Sequence, residues 1–562
     1  MPLFVQLTAG SLAILGCLLT YAGTIFPGAP KWVVLVALAF VGILCWKRQA
    51  TTTLSSFLII LLFTWLWITG WWAVDPGAHT LAALRMTVLV AIAISVTKAP
   101  KQVVRLIPIV AAISTAGALV LVVILKVSYG GFGNQNAVAS FLILSGLLSL
   151  GCKGSWKKLA VSSIVVAVFY LVFENRSILE FAVLGFVAVV MAASQIKSYR
   201  TALYFGLMLG AVLWVIAFDL GHISTSFSAR LEIWRDAFQL IAVSPWIGNG
   251  LGGFNYLHGD VQTTEIGRTI LRSPFMMPGS VHNDLLQLII EGGLIGFAIS
   301  LALIASLWKR SGNAGIHVCL TLLAGLALVL GDFPLQNPDT GLMIALAVGL
   351  AARSERTHIS RLTIVEAGIL GALLVVAAYE LTASWKAEMM FSDSVMINSK
   401  HPPLALTLSR KALQIQPREA YIRRFAAVQL ASAANWCEHN PKCEATIPFQ
   451  AADEIYRVAQ TAGPGFVGLL VSRAQYLLNS DRWDEPELDE IIVRLESSFP
   501  LYTETWIIKA WQARNRMQGG PLIKALEQLS EMGLSRHNKV NLRRLLATIT
   551  ITPNPLAGKL ED

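Results

Sequence analysis

Arg230, Arg235, Arg268 and Arg272 precede His282 within residues 229–297, the longest polar interruption of an otherwise apolar run. Guanidinium groups stay charged and grip phosphate oxygens as a planar fork; imidazole can take a proton near neutral pH. At the edge of a membrane, that combination suits chemistry on a lipid-linked anion. The stretch opens with ARLEIWRDAFQLIAVSPWIGNGLGGF and closes with VHNDLLQLIIEGGLIGF as the next apolar run begins.

The elements that position these groups follow from local pattern. Leu231, Trp234, Phe238 and Ile241 recur at helical spacing, with Glu232, Arg235, Asp236 and Gln239 mainly on the other side. This predicts an amphipathic helix lying on the membrane surface or packed on the protein's own spans. Ser244-Pro245 ends it. Gly248, Gly250, Gly252 and Gly253 then make a tight turn that lets backbone approach a ligand or a neighbouring helix. No strand precedes these glycines, so they do not form a dinucleotide loop. Asn283 or Asp284 caps the following span and leaves His282 just before its first turn. A helix N-terminus favours an anion and disfavours imidazolium, and a neutral histidine is what a general base requires. The alternative for His282 is a plain hydrogen bond at an interface. Glu291, about two turns further in, either orients polar neighbours or packs as a buried carboxylate.

The 562 residues are 55% hydrophobic and 14% charged, against roughly 25% charge in soluble domains. Residues 1–385 are almost wholly apolar, and 386–562 have a soluble composition. Judged against the ~20 residues needed to cross a bilayer, about thirteen spans fall near 4–26, 32–46, 54–74, 80–97, 104–127, 137–152, 158–173, 178–194, 202–218, 284–308, 315–331, 339–352 and 363–385. The first has no basic leader or clear cleavage site and reads as a retained span. The expected fold is therefore all-α: a polytopic bundle of about 12–13 spans with a soluble C-terminal domain.

Lys47/Arg48, Lys98/Lys101/Arg105, Lys153/Lys157/Lys158, Lys197/Arg200, Lys309/Arg310 and Arg353/Arg356/Arg361 occupy alternate connections. The positive-inside rule makes these cytoplasmic, places the N-terminus inside, and puts loop 219–283 and everything after 386 outside. The net charge of +10 thus sets topology and does not signal nucleic acid. The outer face collects Asp75–His79, the GGFGNQN loop (Gly130–Asn136), Glu174-Asn175-Arg176, the long loop, and Gly331–Asp339. Polar span ends gathered on one face suggest a shared site.

Of the six cysteines, Cys17, Cys45, Cys152 and Cys319 lie in or beside apolar spans and read as small packing residues. Cys437 and Cys443 frame CEHNPKC; with no second close pair nearby, a disulfide is favoured over a metal, which also places this domain outside the cytoplasm. From about Asp393 the chain reads as helix pairs resembling tetratricopeptide units without a strict period, a surface suited to assembly proteins or to packing on its own protein. No D-x-D triplet or dense His/Cys/carboxylate cluster is present, so neither an obligatory metal nor another cofactor is expected.

RLEIWRDAFQLIAVSPWIGNGLGGF followed by HNDLLQLIIEGGLIGF resembles the shared core of the O-antigen ligase and polymerase superfamily. GGFGNQNAVASFLIL, Asn175–Ser177 and DFPLQNP resemble further blocks, although Val138 stands where the family usually has histidine. The resemblance covers most of 128–350. It implies a GT-C type membrane glycosyltransferase that takes a glycan from undecaprenyl pyrophosphate and transfers it, inverting and without metal, to an acceptor hydroxyl on the outer face of the bacterial inner membrane. The C-terminal domain looks like those of some exopolysaccharide polymerase-like and protein O-glycosylating members.

On that reading His282 activates the acceptor hydroxyl, and Arg230 and Arg176 stabilise the leaving pyrophosphate, with Arg268, Arg272 and Arg235 behind them. Asn134, Gln135, Asn136, Asn283 and Glu291 supply further substrate contacts. The acceptor is a glycan, a lipid A core or a pilin-like protein; the last makes the chain a protein O-oligosaccharyltransferase. A transporter or flippase of lipid-linked sugars predicts an internal repeat and mid-membrane polar groups, and Arg85 within the fourth span is the residue that favours it. A scaffold, the third class, would make His282 and the arginines dispensable.

Overall fold

The computed structural model describes, apart from isolated positions, residues 28–44, 52–124, 135–171, 220–261, 280–353, 358–360, 363–398, 400–438, 449–499 and 502–532. The described residues are helical apart from one small clip of strand. The chain divides into two compact units: residues 1–227, 241–253 and 280–392 form one, and 228–240, 254–279 and 393–562 form the other.

In the first unit the helices are α1 (Gly28–Leu44), α2 (Leu54–Ile68), α3 (Pro76–Lys98), α4 (Ile107–Leu119), α5 (Gln135–Ser149) and α6 (Trp156–Tyr170). After the connection that includes α7 (Leu220–Val243) and α8 (Gly253–Val261), it resumes with α9 (Asp284–Ala314), α10 (Ile316–Gly331), α11 (Pro338–Arg353) and α12 (Thr363–Ile397). Among the described residues five segments are long and apolar enough to cross a membrane: Leu54–Trp71, Pro76–Lys98, Lys101–Val123, Asp284–Lys309 and Val365–Ile397. This is a multi-pass membrane protein.

At the centre, α3 packs against α1 and α11, and α5 against α4, α10 and α11. In lipid, helix association rests on close packing, so small residues mark the crossings. A Cβ at Gly349 would stand 2.5 Å from Ala93 O, so α11 and α3 meet backbone to side there. Both ends of α3 are capped by side chains. Asp75 accepts from Ala78 N at 3.0 Å, with Pro76 at the first helical position, where a missing N–H costs nothing. At the other end Arg353 Nη1 donates to the carbonyls of Val96, Thr97 and Ala99 at 3.3, 3.1 and 2.5 Å. The strand clip pairs Thr52–Thr53 (β1) antiparallel to His358–Ser360 (β2) beside the start of α2. It is too short to carry a periodic signal.

The second unit holds α13 (Pro402–Ile415), α14 (Ala420–Glu438), α15 (Phe449–Gln460), α16 (Val467–Asn479), α17 (Pro486–Ser498), α18 (Thr503–Asn515) and α19 (Gly519–Glu531). Its core gathers Leu430, Ile455, Phe466, Leu477 and Leu495, with a second cluster around Trp506, Leu526 and Leu529. At its heart Arg473 joins Asp453 at 2.7 Å and Glu487 at 2.5 Å while lying over the rings of Tyr456 and Tyr476. One buried cation is thereby balanced by two carboxylates and two π faces.

Candidate functional site

The glycine-rich turn exists to serve a broken helix. Within α9, Gly293 has φ 68° and ψ −177°, a conformation open only to glycine. An interruption frees the carbonyls before it and the amides after it, and each must find a partner. The SPWIGNG loop supplies four of these partners. Asn249 N donates to Ile290 O and Gly250 N to Glu291 O, both at 2.9 Å; Leu294 N donates to Pro245 O at 2.8 Å and Ile295 N to Trp246 O at 3.2 Å. Asn249 Nδ2 adds a second bond to Ile290 O, at 3.1 Å.

No side chain fits between these strands of backbone. A Cβ on Gly293 would lie 2.2 Å from Trp246 O, and one on Gly248 2.4 Å from Glu291 O. Two tryptophans close the joint from outside: Trp65 Nε1 donates to Gly292 O at 2.7 Å and Trp72 Nε1 to Gly248 O at 3.1 Å. Buried His79 accepts from Leu251 N through Nδ1 at 3.0 Å, tying α3 to the same loop. The glycines therefore meet a neighbouring helix, which is one of the two roles their pattern allows.

The joint holds the short N-terminal part of α9, and on it the histidine. Asn283 caps the helix, its Oδ1 accepting from Leu286 N at 2.9 Å. Asp284 is buried and does different work: it accepts from Leu335 N at 3.0 Å and from Gln336 Nε2 at 3.2 Å. Gln336 also donates to Gln287 Oε1 at 2.9 Å, and Gln287 donates to Glu291 Oε1 at 3.0 Å. Glu291, 6% exposed, is thus the inner end of a polar chain that seats the DFPLQNP loop on the start of α9. That loop is fixed again from below. Thr340 donates to Pro334 O at 2.5 Å, and Asp339 makes an ion pair with Lys31, the two side chains 2% and 1% exposed.

His282 sits where the two segments meet. Its Nδ1 lies 3.2 Å from Asp332 Oδ1, and its ring stands edge-on to Phe333 at 5.1 Å. A carboxylate only accepts, so in the neutral form of the ring the proton sits on Nδ1 toward Asp332 and the lone pair on Nε2. The side chain is 30% exposed, so the ring is reachable. The backbone holds φ at +53°, uncommon for a residue with a Cβ and found where surrounding structure imposes it. Asp332 is the residue that spacing missed, since fifty positions separate it from its partner; the DFPLQNP block was its signal.

The remaining candidates are placed as follows. His282, Asn283 and Glu291 come together in the first unit, and α5 carries Asn136, which is half-buried. Arg230 and Arg235 belong to the second unit, on α7. Arg235 is 52% exposed and pairs with Glu232 at 3.1 Å. On α7, Leu231 and Phe238 are 45% and 61% exposed, which fits an apolar face free to lie on a membrane and not one packed on the protein's own spans, whereas Asp236 of the polar side is fully buried beside His258. Ile233, Ala237 and Leu240 share that buried side, so the helix turns a different stripe inward from the one its strongest apolar spacing marks. Arg176, Arg268, Arg272, Asn134 and Cys443 lie outside the described residues, as do the side chains of Gln135 and Cys437.

Comparison with known proteins bears on the segment that holds this geometry. Residues 138–301 match the family model described as O-Antigen ligase. A Rickettsia bellii protein described as "Putative polysaccharide ligase" is 29% identical over 162 residues, 27% of this chain and 39% of that protein. A Haemophilus influenzae protein described as "Uncharacterized protein" is 29% identical over 96 residues, 17% of this chain and 23% of its own length. The matches thus span well under half of either relative. The matched residues contain the glycine turn, His282 and the break in α9, and this segment is similar to the O-antigen ligase family.

Proposed function

We propose that the protein is a glycosyltransferase of the bacterial inner membrane that moves a glycan from undecaprenyl pyrophosphate to an acceptor hydroxyl on the outer face. The observation that carries this reading is the His282–Asp332 pair at the start of a broken apolar helix, with His282 and the break at Gly293 inside the segment that matches the O-antigen ligase model. Nε2 of His282 takes the hydroxyl proton, and the acceptor oxygen bonds to the anomeric carbon. The bond from that carbon to the pyrophosphate oxygen breaks, inverting the centre and returning the electron pair to the leaving group. Arg230 and Arg176 neutralise the charge that develops there, with Arg235, Arg268 and Arg272 adding to the positive field. No step needs a metal.

Repeat-unit polymerisation or ligation stands ahead of transfer to a pilin-like protein. The N-terminus is cytoplasmic, and the C-terminal helical domain, with Cys437 bonded to Cys443, faces the periplasm. Exposed tryptophans at opposite span ends, Trp71 and Trp246 at one and Trp156 and Trp308 at the other, support two interfacial belts. The test supplies purified protein in nanodiscs with an undecaprenyl-pyrophosphate glycan and a panel of glycan, lipid A core and protein acceptors. Transfer in the presence of chelator is expected, and the acceptor consumed names the subclass. Flipping of the donor without transfer to any acceptor would replace this reading with transport.

A further inference from the structure

Within the second unit, α8 of the long loop meets the C-terminal helices at less than side-chain distance. A Cβ on Gly259 would stand 2.4 Å from the carbonyl carbon of Gly465, and one on Gly465 would stand 2.6 Å from that of Gly259. The two backbones are in direct contact through a pair of glycines. Arg424 clasps the same seam, donating through Nε to Ala462 O at 2.6 Å and through Nη2 to Asn255 O at 2.5 Å. Gly463, at φ +129°, closes the turn and lies against Tyr256 O. Asp260 and Arg494 form an ion pair at the far edge.

The seam extends to the arginines. His258 of α8 lies 3.3 Å from Asp236 of α7, both side chains fully buried. Six residues before Asp236 on the same helix is Arg230, and one before it is Arg235. A continuous line of contact therefore runs from the C-terminal helices through α8 to the cation-bearing helix.

We propose that the C-terminal helical domain is a positioning element for Arg230, acting through the Gly259–Gly465 seam, in addition to any role in recruiting partners. Gly259, Gly465 and Arg424 are positioning residues; none touches substrate. The inference rests on the glycosyl-transfer reading for its consequence and on the seam alone for its geometry.

Gly259→Ala separates the two. Alanine is the better helix former, so the change strengthens α8 taken by itself while forcing the seam apart. In the full-length protein, hydrogen exchange should quicken across residues 254–261 and 461–466 and stay unchanged in α18 and α19. Turnover with the lipid-linked donor should fall by on the order of tenfold to a hundredfold, the scale of a reacting group misplaced by about an ångström, while KM for the acceptor holds. Gly465→Ala should reproduce both effects. Gly519→Ala and Gly520→Ala, where an added Cβ meets nothing within 4 Å, should change neither. Wild-type exchange in both seam variants overturns the seam; quickened exchange with unchanged turnover overturns the positioning role. A wild-type protein that transfers nothing removes the functional reading and this role with it, while the exchange data still decide the seam.

Discussion

Gly293→Ala is the sharpest perturbation of the broken helix. Its backbone, at φ 68° and ψ −177°, lies in a region that costs a residue with a Cβ about 1–3 kcal/mol. The new methyl would also stand 2.2 Å from Trp246 O and 2.6 Å from Ile247 N, both backbone atoms that cannot rotate away. Relieving that contact opens the joint, where four backbone hydrogen bonds join residues 245–250 to 290–295. Losing half of them, at about 1 kcal/mol each, brings the total to roughly 3–5 kcal/mol. The assay is thermal inactivation in detergent, read by retention of the monodisperse peak after heating, alongside glycosyl transfer. Gly368→Ala is the control, because a Cβ there meets nothing within 4 Å. Gly293→Ala should lower the midpoint steeply and abolish transfer, and Gly368→Ala should do neither. Equal midpoints would refute the account of the joint.

Other perturbations test the groups around it. Asp332→Asn keeps the shape but loses the carboxylate that holds His282 Nδ1–H; transfer should fall roughly a hundredfold with little change in folding, read as kcat at saturating donor. Lys31→Met leaves Asp339 buried without its cation and should cost about 3–5 kcal/mol, whereas Lys31→Met with Asp339→Leu should recover most of it, measured by the same thermal assay. In the C-terminal domain the Arg516 guanidinium holds the Asp489 carboxyl below the usual carboxylate range, with Gln512 assisting against desolvation. The folded value being the lower one, this pair stabilises the domain above about pH 4 and its contribution fades as pH falls through the folded value. Arg516→Met should flatten that part of the acid unfolding curve.

Much of this was legible from residue order. Membrane spans are long apolar runs because lipid offers no partner for exposed backbone, and the helix ends at Asn283 and Val243 follow from capping chemistry and from Ser244-Pro245, whereas the start of α3 at Pro76, capped by Asp75, lies four residues before the span read from apolarity. The glycine turn was readable as a close approach, but its target was not: nothing local in EGGLIGF says that Gly293 breaks the helix and hands its amides to Pro245 and Trp246. Asp332 escaped for the same reason, since the contact with His282 is made by tertiary packing. Lys31 illustrates a limit of charge counting. It would count as a basic residue at a span end, yet Asp339 neutralises it inside the protein. In α7 the polar side was legible but not the burial of Asp236 against His258, a partner on a different helix.

The most direct test of the central claim is transfer by the purified protein in nanodiscs carrying His282→Ala, with the undecaprenyl-pyrophosphate glycan as donor and chelator present. A folded variant that binds donor as wild type does, yet transfers glycan at least a hundredfold more slowly, is the predicted result. Undiminished transfer by that variant would contradict the account.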